Sequence, residues 1–404
     1  MSFQQGLSGL NAAAQNLDVI GNNVANANTV GFKQGEAIFS DVYANSLAAG
    51  GSTGAGIGVS VAAIQQQFSQ GNIRASSNPL DVAINGRGFF RLENNGAVQY
   101  SRNGQFHVDK DGYIINSSGG KLTGFGTDAS GNLLIGNAVP LQLSSAQLQA
   151  TPTTSADIGM NLDAREPIIS TAFSLTNPTT YNKATSVTVY DSLGNPHALA
   201  AYFTKTAANT WTVNGALDGT SIGALGSLQF NSNGSLNATG SSLPFAISAA
   251  VTSGAVTPFA FTLDFQTATQ FGSTFSVDSL KQDGSTSGQL SGYSVDGDGT
   301  VLGRYSNGVA RTLGQIQLVN FTNPEGLQPL GSNGFAQSNE SGPPVPGTPG
   351  AGNLGVLQSG AVEESNVDLT RELVNMITAQ RVYQANAQTI KTQDQVLNTL
   401  VNLR

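Results

Sequence analysis

At both ends of this chain apolar residues recur at alternating steps of four and three, while almost everything between reads as short strands broken by turns. Near the N-terminus the stripe is Phe3, Leu7, Leu10, Ala14, Leu17, Gly21 and Val24, with Asn11, Gln15, Asn16, Asp18 and Asn22 on the opposite face. Toward the C-terminus it is Leu369, Leu373, Met376, Gln380, Tyr383, Ala387, Ile390, Asp394, Leu397 and Val401. This stepping holds side chains on one face of a helix and is the spacing of a coiled coil. Ser365 and Asp368 have capping-box spacing ahead of the second helix. At a rise of ~1.5 Å per residue the helices run roughly 35 and 55 Å, too long for one small core to cover. They need each other, or the helices of neighbouring copies. Gly21, Gln380 and Asp394 interrupt the stripes, so an isolated pair gains little, and the ends are expected to order on assembly. The layout points to a subunit that polymerises through its termini.

Composition excludes several classes. Charged residues are 10% of the 404, against about 25% in an average soluble domain. The formal charge of −8 leaves no basic stripe for nucleic acid. There is no cysteine, hence no disulfide framework and no thiolate metal site. The first 32 residues hold no Lys or Arg, unlike the basic start of a secretory signal peptide, and no run of 18 apolar residues occurs. If the chain leaves the cell, it needs a route without a cleaved signal.

Turn dipeptides locate the domains. Asn85-Gly86, Asn95-Gly96, Asn103-Gly104, Asp111-Gly112 and Gly119-Gly120 punctuate short alternating runs, the signature of antiparallel hairpins. A second strand series covers Ser186 to Tyr190, His197 to Thr204, Trp211 to Val213 and Phe259 to Phe265, and a third resumes at Gly292 to Tyr305 and Gln315 to Phe321. The Pro-rich segment Gly342 to Gly347 reads as a semi-extended connector. Because the terminal helices must meet, a nested order is expected in a mainly β fold with terminal α-helices. Residues 1–27 and 363–404 form the coiled coil, 28–70 and 335–362 connect, 71–147 and 283–334 form an inner β domain, and 148–282 form an inserted outer one.

No constellation for catalysis emerges. His107 and His197 stand in separate strand-like runs without metal-ligand spacing. Asp109-Lys110-Asp111-Gly112 and Asp296-Gly297-Asp298-Gly299 open like calcium loops, but no Glu closes either, and hairpin turns explain them more simply. Gly50-Gly51-Ser52-Thr53-Gly54 lacks the strand and helix of a nucleophile elbow, and Gly54-Ala55-Gly56-Ile57-Gly58 is not a dinucleotide fingerprint. The residues assign no catalytic, cofactor or metal role, and an enzyme is not expected.

Several blocks carry a family resemblance. Leu10-Asn11-Ala12-Ala13, the run Leu17 to Asn26 and Thr29-Val30-Gly31-Phe32-Lys33 resemble the amino-terminal signature of the bacterial flagellar rod and hook proteins. Asn78 to Phe90, Ser101-Arg102-Asn103-Gly104 and Asp111-Gly112-Tyr113 are similar to the β domain of that family. Glu364 to Leu369, Ala387 to Asp394, and Val189-Tyr190-Asp191-Ser192-Leu193-Gly194-Asn195-Pro196 resemble its hook members most. The resemblance implies a structural subunit of a curved, flexible tube that acts as a universal joint, transmits motor torque from rod to filament and encloses the export channel. It implies homopolymerisation, with the distal rod protein, hook cap protein, hook-filament junction protein and flagellar type III export apparatus as partners, outside the cell. Phe3, Leu7, Leu10, Leu17, Val24, Leu373, Met376, Tyr383, Ile390 and Leu397 then form the subunit interface of the terminal coiled coil. Phe39 and Tyr43 resemble the family's export-gate motif and would share a face if helical. Two other readings are a distal rod subunit and a secreted β-rich adhesin, the latter giving no reason for paired heptad ends.

Overall fold

The structure is a computed structural model that describes residues 2–42, 56, 58–128, 131–143 and 147–402. The fold is mainly β, opened by helix α1 (Ser2–Ala25) and closed by helix α2 (Leu369–Asn402). It divides into two compact units. The first comprises Met1–Ser144, Gly292–Gly303 and Ala310–Arg404, and the second Ser145–Ser291 with Arg304–Val309.

In the first unit an antiparallel path runs through Ala310–Ile316, Lys121–Phe125, Phe89–Asn94, Ala97–Ser101, Gly334–Ala336 and Gln328–Gly331. Phe89–Asn94 lies at its centre and is covered on both sides. Alternation sends Phe90 and Leu92 into one core with Leu80, Phe106 and Leu122, and Phe89 into another with Tyr100, Phe321 and Phe335. Phe68 completes the second core, edge-on to both Phe89 and Phe335 at 5.2 Å. The hairpin dipeptides act as their chemistry requires: Asn95 (φ 50°) and Gly96 (φ 84°) both adopt the left-handed region of a two-residue turn.

The flanks expected to be free connectors are instead built into this unit. Val345–Gly347 pairs with Leu318–Asn320, Val356–Ser359 with Val82–Asn85, and Ala361–Glu363 with Ile73–Ala75. The strand Val345–Gly347 has a single neighbour, so Pro346 sits at a sheet edge, where a missing N–H costs little. Two strands of the N-terminal flank, β1 (Gly35–Val42) and β2 (Gly58–Gln66), form an antiparallel hairpin. Of the Gly-rich stretch Gly50 to Gly58, only Gly56 and Gly58 lie among the described residues.

The second unit is a sandwich. Lys183–Tyr190, Pro196–Ala207, Thr210–Leu217 and Thr220–Gln229 form an antiparallel meander. The facing sheet is mixed: Ser155–Asp163 runs parallel to Phe259–Asp264 and Thr269–Phe271 and antiparallel to Ser276–Gln282, and Phe245–Ala249 extends it. Both sheets contribute to one core, which includes Ile158, Met160, Val187, Phe203, Trp211 and Phe265. Trp211 is fully buried and donates its indole N–H to Gln270 Oε1 at 2.7 Å.

Candidate functional site: the terminal helix pair and its anchor

The two helices pack antiparallel, with Gly6 opposite Ile390, Gly9 opposite Asn386, and Asn23 bonded to Glu372. The seam is made of small and polar side chains. A Cβ at Gly6 would lie 3.1 Å from Ile390 Cγ1, and one at Gly9 would lie 2.8 Å from Asn386 Oδ1, so these glycines set how closely the helices approach. Ala12, Ala13, Val19, Ile20 and Asn23 are the other buried residues of α1, and Glu372 and Ala379 are buried on α2.

The stripe expected to close the pair lies beside this seam, one residue around the helix. Phe3 and Leu7 remain 46% and 44% exposed, while Leu10, Leu17 and Val24 are half-buried. A Cβ at Gly21 would meet nothing within 4 Å. On α2, Leu373 and Leu397 are 45% and 54% exposed, and Tyr383 is exposed as well. Met376 and Ile390 are half-buried, and Ile390 packs over Gly6. The side chain of Val401 lies outside the described residues. Each helix therefore has two faces, a small-residue seam used within the chain and a larger apolar stripe left partly open. α2 starts on a simple N-cap: Asp368 Oδ1 accepts from the N–H groups of Thr370 and Arg371 at 3.0 and 3.1 Å. The expected box with Ser365 does not form, because Ser365 Oγ accepts from Val367 N–H instead.

A polar knot that the sequence reading did not foresee fastens this pair to the β body. Lys33 Nζ lies 2.6 Å from Glu363 Oε1, both side chains fully buried, and donates to Ser69 O at 2.7 Å. Arg102 Nε lies 3.1 Å from Glu363 Oε2 outside hydrogen-bond alignment, and its other nitrogens donate to the carbonyls of Gly88 and Gly86 at 2.7 and 2.9 Å. Burial pushes the pKa of Lys33 down, Glu363 opposes that, and Arg102 adds to it. Burial also lowers Arg102, again opposed by Glu363. One carboxylate thus serves two cations, and the backbone carbonyls solvate the surplus charge.

A second layer lies nearer the helices. Asn23 Nδ2 donates to Glu372 Oε2 at 3.1 Å and to Gly35 O at 2.8 Å, and its Oδ1 accepts from Gly35 N–H at 2.9 Å. Gln34 and Asn375 donate to Glu372 Oε1 at 3.0 and 3.2 Å. Asn366 bridges Gln34 N–H and Gln67 O at 2.8 and 2.7 Å. Every backbone segment entering or leaving the helix pair is thereby held. The motif residues Gly31, Lys33 and Arg102 were the sequence signs of this knot, and the Glu363 that joins them stands 330 positions from Lys33.

Phe39 lies in strand β1 opposite Val61, just after a bulge, and is 43% exposed, so it is not on a helix; Tyr43 lies outside the described residues. Between α1, α2 and β1 runs a groove of about 1080 Å³ lined in part by Ala13, Ile20, Phe39, Ala379 and Val382. The calcium-like segments are turns: Asp109 Oδ1 accepts from its own neighbours, Asp111 and Tyr113 N–H, at 2.9 and 2.8 Å.

Four family models match, at both ends of the chain and across residues 83–285. They are a flagella basal body rod protein model at 3–33, a flagellar hook protein FlgE/F/G D1 domain at 83–172, a flagellar basal body protein FlaE D2 domain at 161–285 and a flagellar basal body rod FlgEFG protein C-terminal model at 358–403. The flagellar hook protein FlgE of Escherichia coli K12 is 45% identical over 415 residues, covering all of both chains. That of Salmonella typhimurium LT2 is 46% identical with the same coverage, and that of Treponema pallidum 32% identical over all of this chain and 99% of its own. The crystal structure of the Helicobacter pylori flagellar hook protein FlgE2 shares the fold, with a TM-score of 0.54 and 14% identity over 70% of this chain and 99% of that one.

Proposed function

The chain belongs to the flagellar hook protein FlgE family and is a structural subunit of the bacterial flagellar hook, and from that premise we propose that the open apolar stripes of α1 and α2 are the surfaces through which its copies join. The carrying observation is that Phe3, Leu7, Leu373 and Leu397 stay exposed although the intrachain seam is complete without them. Burying a large apolar side chain contributes about 1.5–3 kcal/mol, so a repeated stripe met by neighbours on both sides supplies a cooperative drive to polymerise. The family is structural and not enzymatic.

In the assembled tube the helices surround the export channel. The ion knot at Lys33, Arg102 and Glu363 carries torque from them into the β body, because close-packed, fully bonded elements resist shear. The distal rod protein, hook cap protein, hook-filament junction protein and type III export apparatus are the partners this reading assigns, with Phe39 and Tyr43 as the export-gate contact. Its place is outside the cell.

The absence of cysteine makes location testable. Ser232 is exposed in a turn of the second unit, and Ser232→Cys labelled on live cells with an impermeant maleimide dye should give short spots at the base of each filament. Labelling that requires a permeabilised envelope would reassign the chain to the rod, and diffuse surface labelling would point to an adhesin.

A further inference from the structure

In the second unit the imidazole of His197 lies between two carboxylates. Its Nδ1 is 2.6 Å from Asp218 Oδ2, and its Nε2 is 3.2 Å from Asp191 Oδ2. A neutral imidazole has one N–H, so one ring nitrogen would direct a lone pair at a carboxylate oxygen; only the imidazolium donates to both. Each carboxylate also fixes backbone. Asp191 is fully buried and accepts at Oδ1 from Leu193 and Asn195 N–H, both at 2.9 Å. Its Oδ2 accepts from Asn195 Nδ2 at 3.0 Å and from Ser253 Oγ at 2.6 Å. Asp218 Oδ1 accepts from Ala198 N–H at 2.8 Å.

These groups come from three turns. Asp191 begins the turn between Lys183–Tyr190 and Pro196–Ala207, Asp218 stands between Thr210–Leu217 and Thr220–Gln229, and Ser253 lies between Phe245–Ala249 and Phe259–Asp264 in the facing sheet. The charged groups facing the ring are Asp191 and Asp218. The turn after Phe245–Ala249 contributes the neutral Ser253, and Phe259–Asp264 contributes the Phe259 ring at 6.0 Å.

We propose that His197 is a proton-operated clamp on this end of the sandwich: the imidazolium ties both hairpin turns and, through Asp191, the facing loop, and loss of its proton frees the turn at Asp218. Release falls there because the Asp218 carboxylate is half-exposed and can turn to water, whereas Asp191 keeps its other donors. Burial opposes the charge on His197, but the two carboxylates outweigh it and its pKa is raised. Burial likewise opposes the charges on Asp191 and Asp218, and their hydrogen bonds outweigh it, so both are lowered. The histidine contribution is therefore complete below the ordinary value of about 6.5 and decays as pH rises through the raised one. The aspartate contributions hold above about 3.9 and are lost as pH falls through their lowered values.

The test uses the full chain as a soluble monomer with 15N-labelled histidine. Both nitrogens of His197 should be protonated at neutral pH and titrate above the ordinary value. Over that interval hydrogen exchange at Ala198, corrected for its intrinsic pH dependence, should accelerate by up to about tenfold per pH unit, while Leu193 and Asn195, held by Asp191, change much less. His197→Gln should abolish this pH dependence; if the variant does not fold, the titration and exchange of the unsubstituted chain decide. A singly protonated ring at neutral pH, or protection unchanged as it titrates, overturns the clamp.

Discussion

Single residues hold the two ends of this chain together. Gly31 has φ 72°, and a Cβ there would come within 2.6 Å of Asn103 N, so the backbone reaches Glu363 O through a path that only glycine can take. Two residues later Lys33 enters the buried ion knot. The members of that knot are not equivalent. Removing Glu363 leaves two cations facing each other without a counter-charge, whereas removing Lys33 leaves a balanced pair. Glu363→Gln should therefore destabilise the first unit by about 3–5 kcal/mol, and Lys33→Met by clearly less. Urea unfolding of the monomer measures both, and equal costs would show that packing and not charge governs the site. The histidine clamp belongs to this scale too, since one proton decides which turns are tied.

At the scale of elements, the helices are two-faced. The seam facing the partner helix is lined by Gly6, Gly9, Ala13 and Ile20, and enlarging it should separate the pair. Gly9→Leu is expected to cost roughly 1–3 kcal/mol by overpacking against Asn386 and to lower the thermal stability of the helices in circular dichroism. The outer stripe predicts the opposite pattern. Leu7→Ser combined with Leu373→Ser touches exposed positions, so monomer stability should shift by no more than about 0.5 kcal/mol per site. Sedimentation should nonetheless show polymerisation lost or strongly impaired. If these variants polymerise normally, the open stripe is not the joint. The heptad stepping that announces both helices is plain in the sequence. Which of two adjacent faces turns inward is not, because the larger side chains mark the stripe that sequence patterns weigh most, while the closest helix approach selects the small one.

For the molecule as a whole, the buried ion knot that fastens the helices lies outside them, at Lys33, Arg102 and Glu363, with Asn23 and Glu372 adding a layer from within them. Deleting residues 2–25 and 369–402 should therefore leave the β units cooperatively folded by calorimetry while abolishing polymer formation. Loss of the β transition would mean that the helices stabilise the body and not only join copies. Residue pattern alone determined the mainly β character, the helical ends and the turns, because these depend on periodicity and on local backbone chemistry such as Asn95-Gly96. It also showed Pro343, Pro344 and Pro346 but not that their segment becomes an edge strand, since pairing depends on a partner near residue 319. Only the tertiary structure brought Lys33 to Glu363 across 330 positions and placed His197 between Asp191 and Asp218. Sequence spacing fixes which groups a chain carries; the burial that makes one charge need another exists only once the distant strands have closed around it.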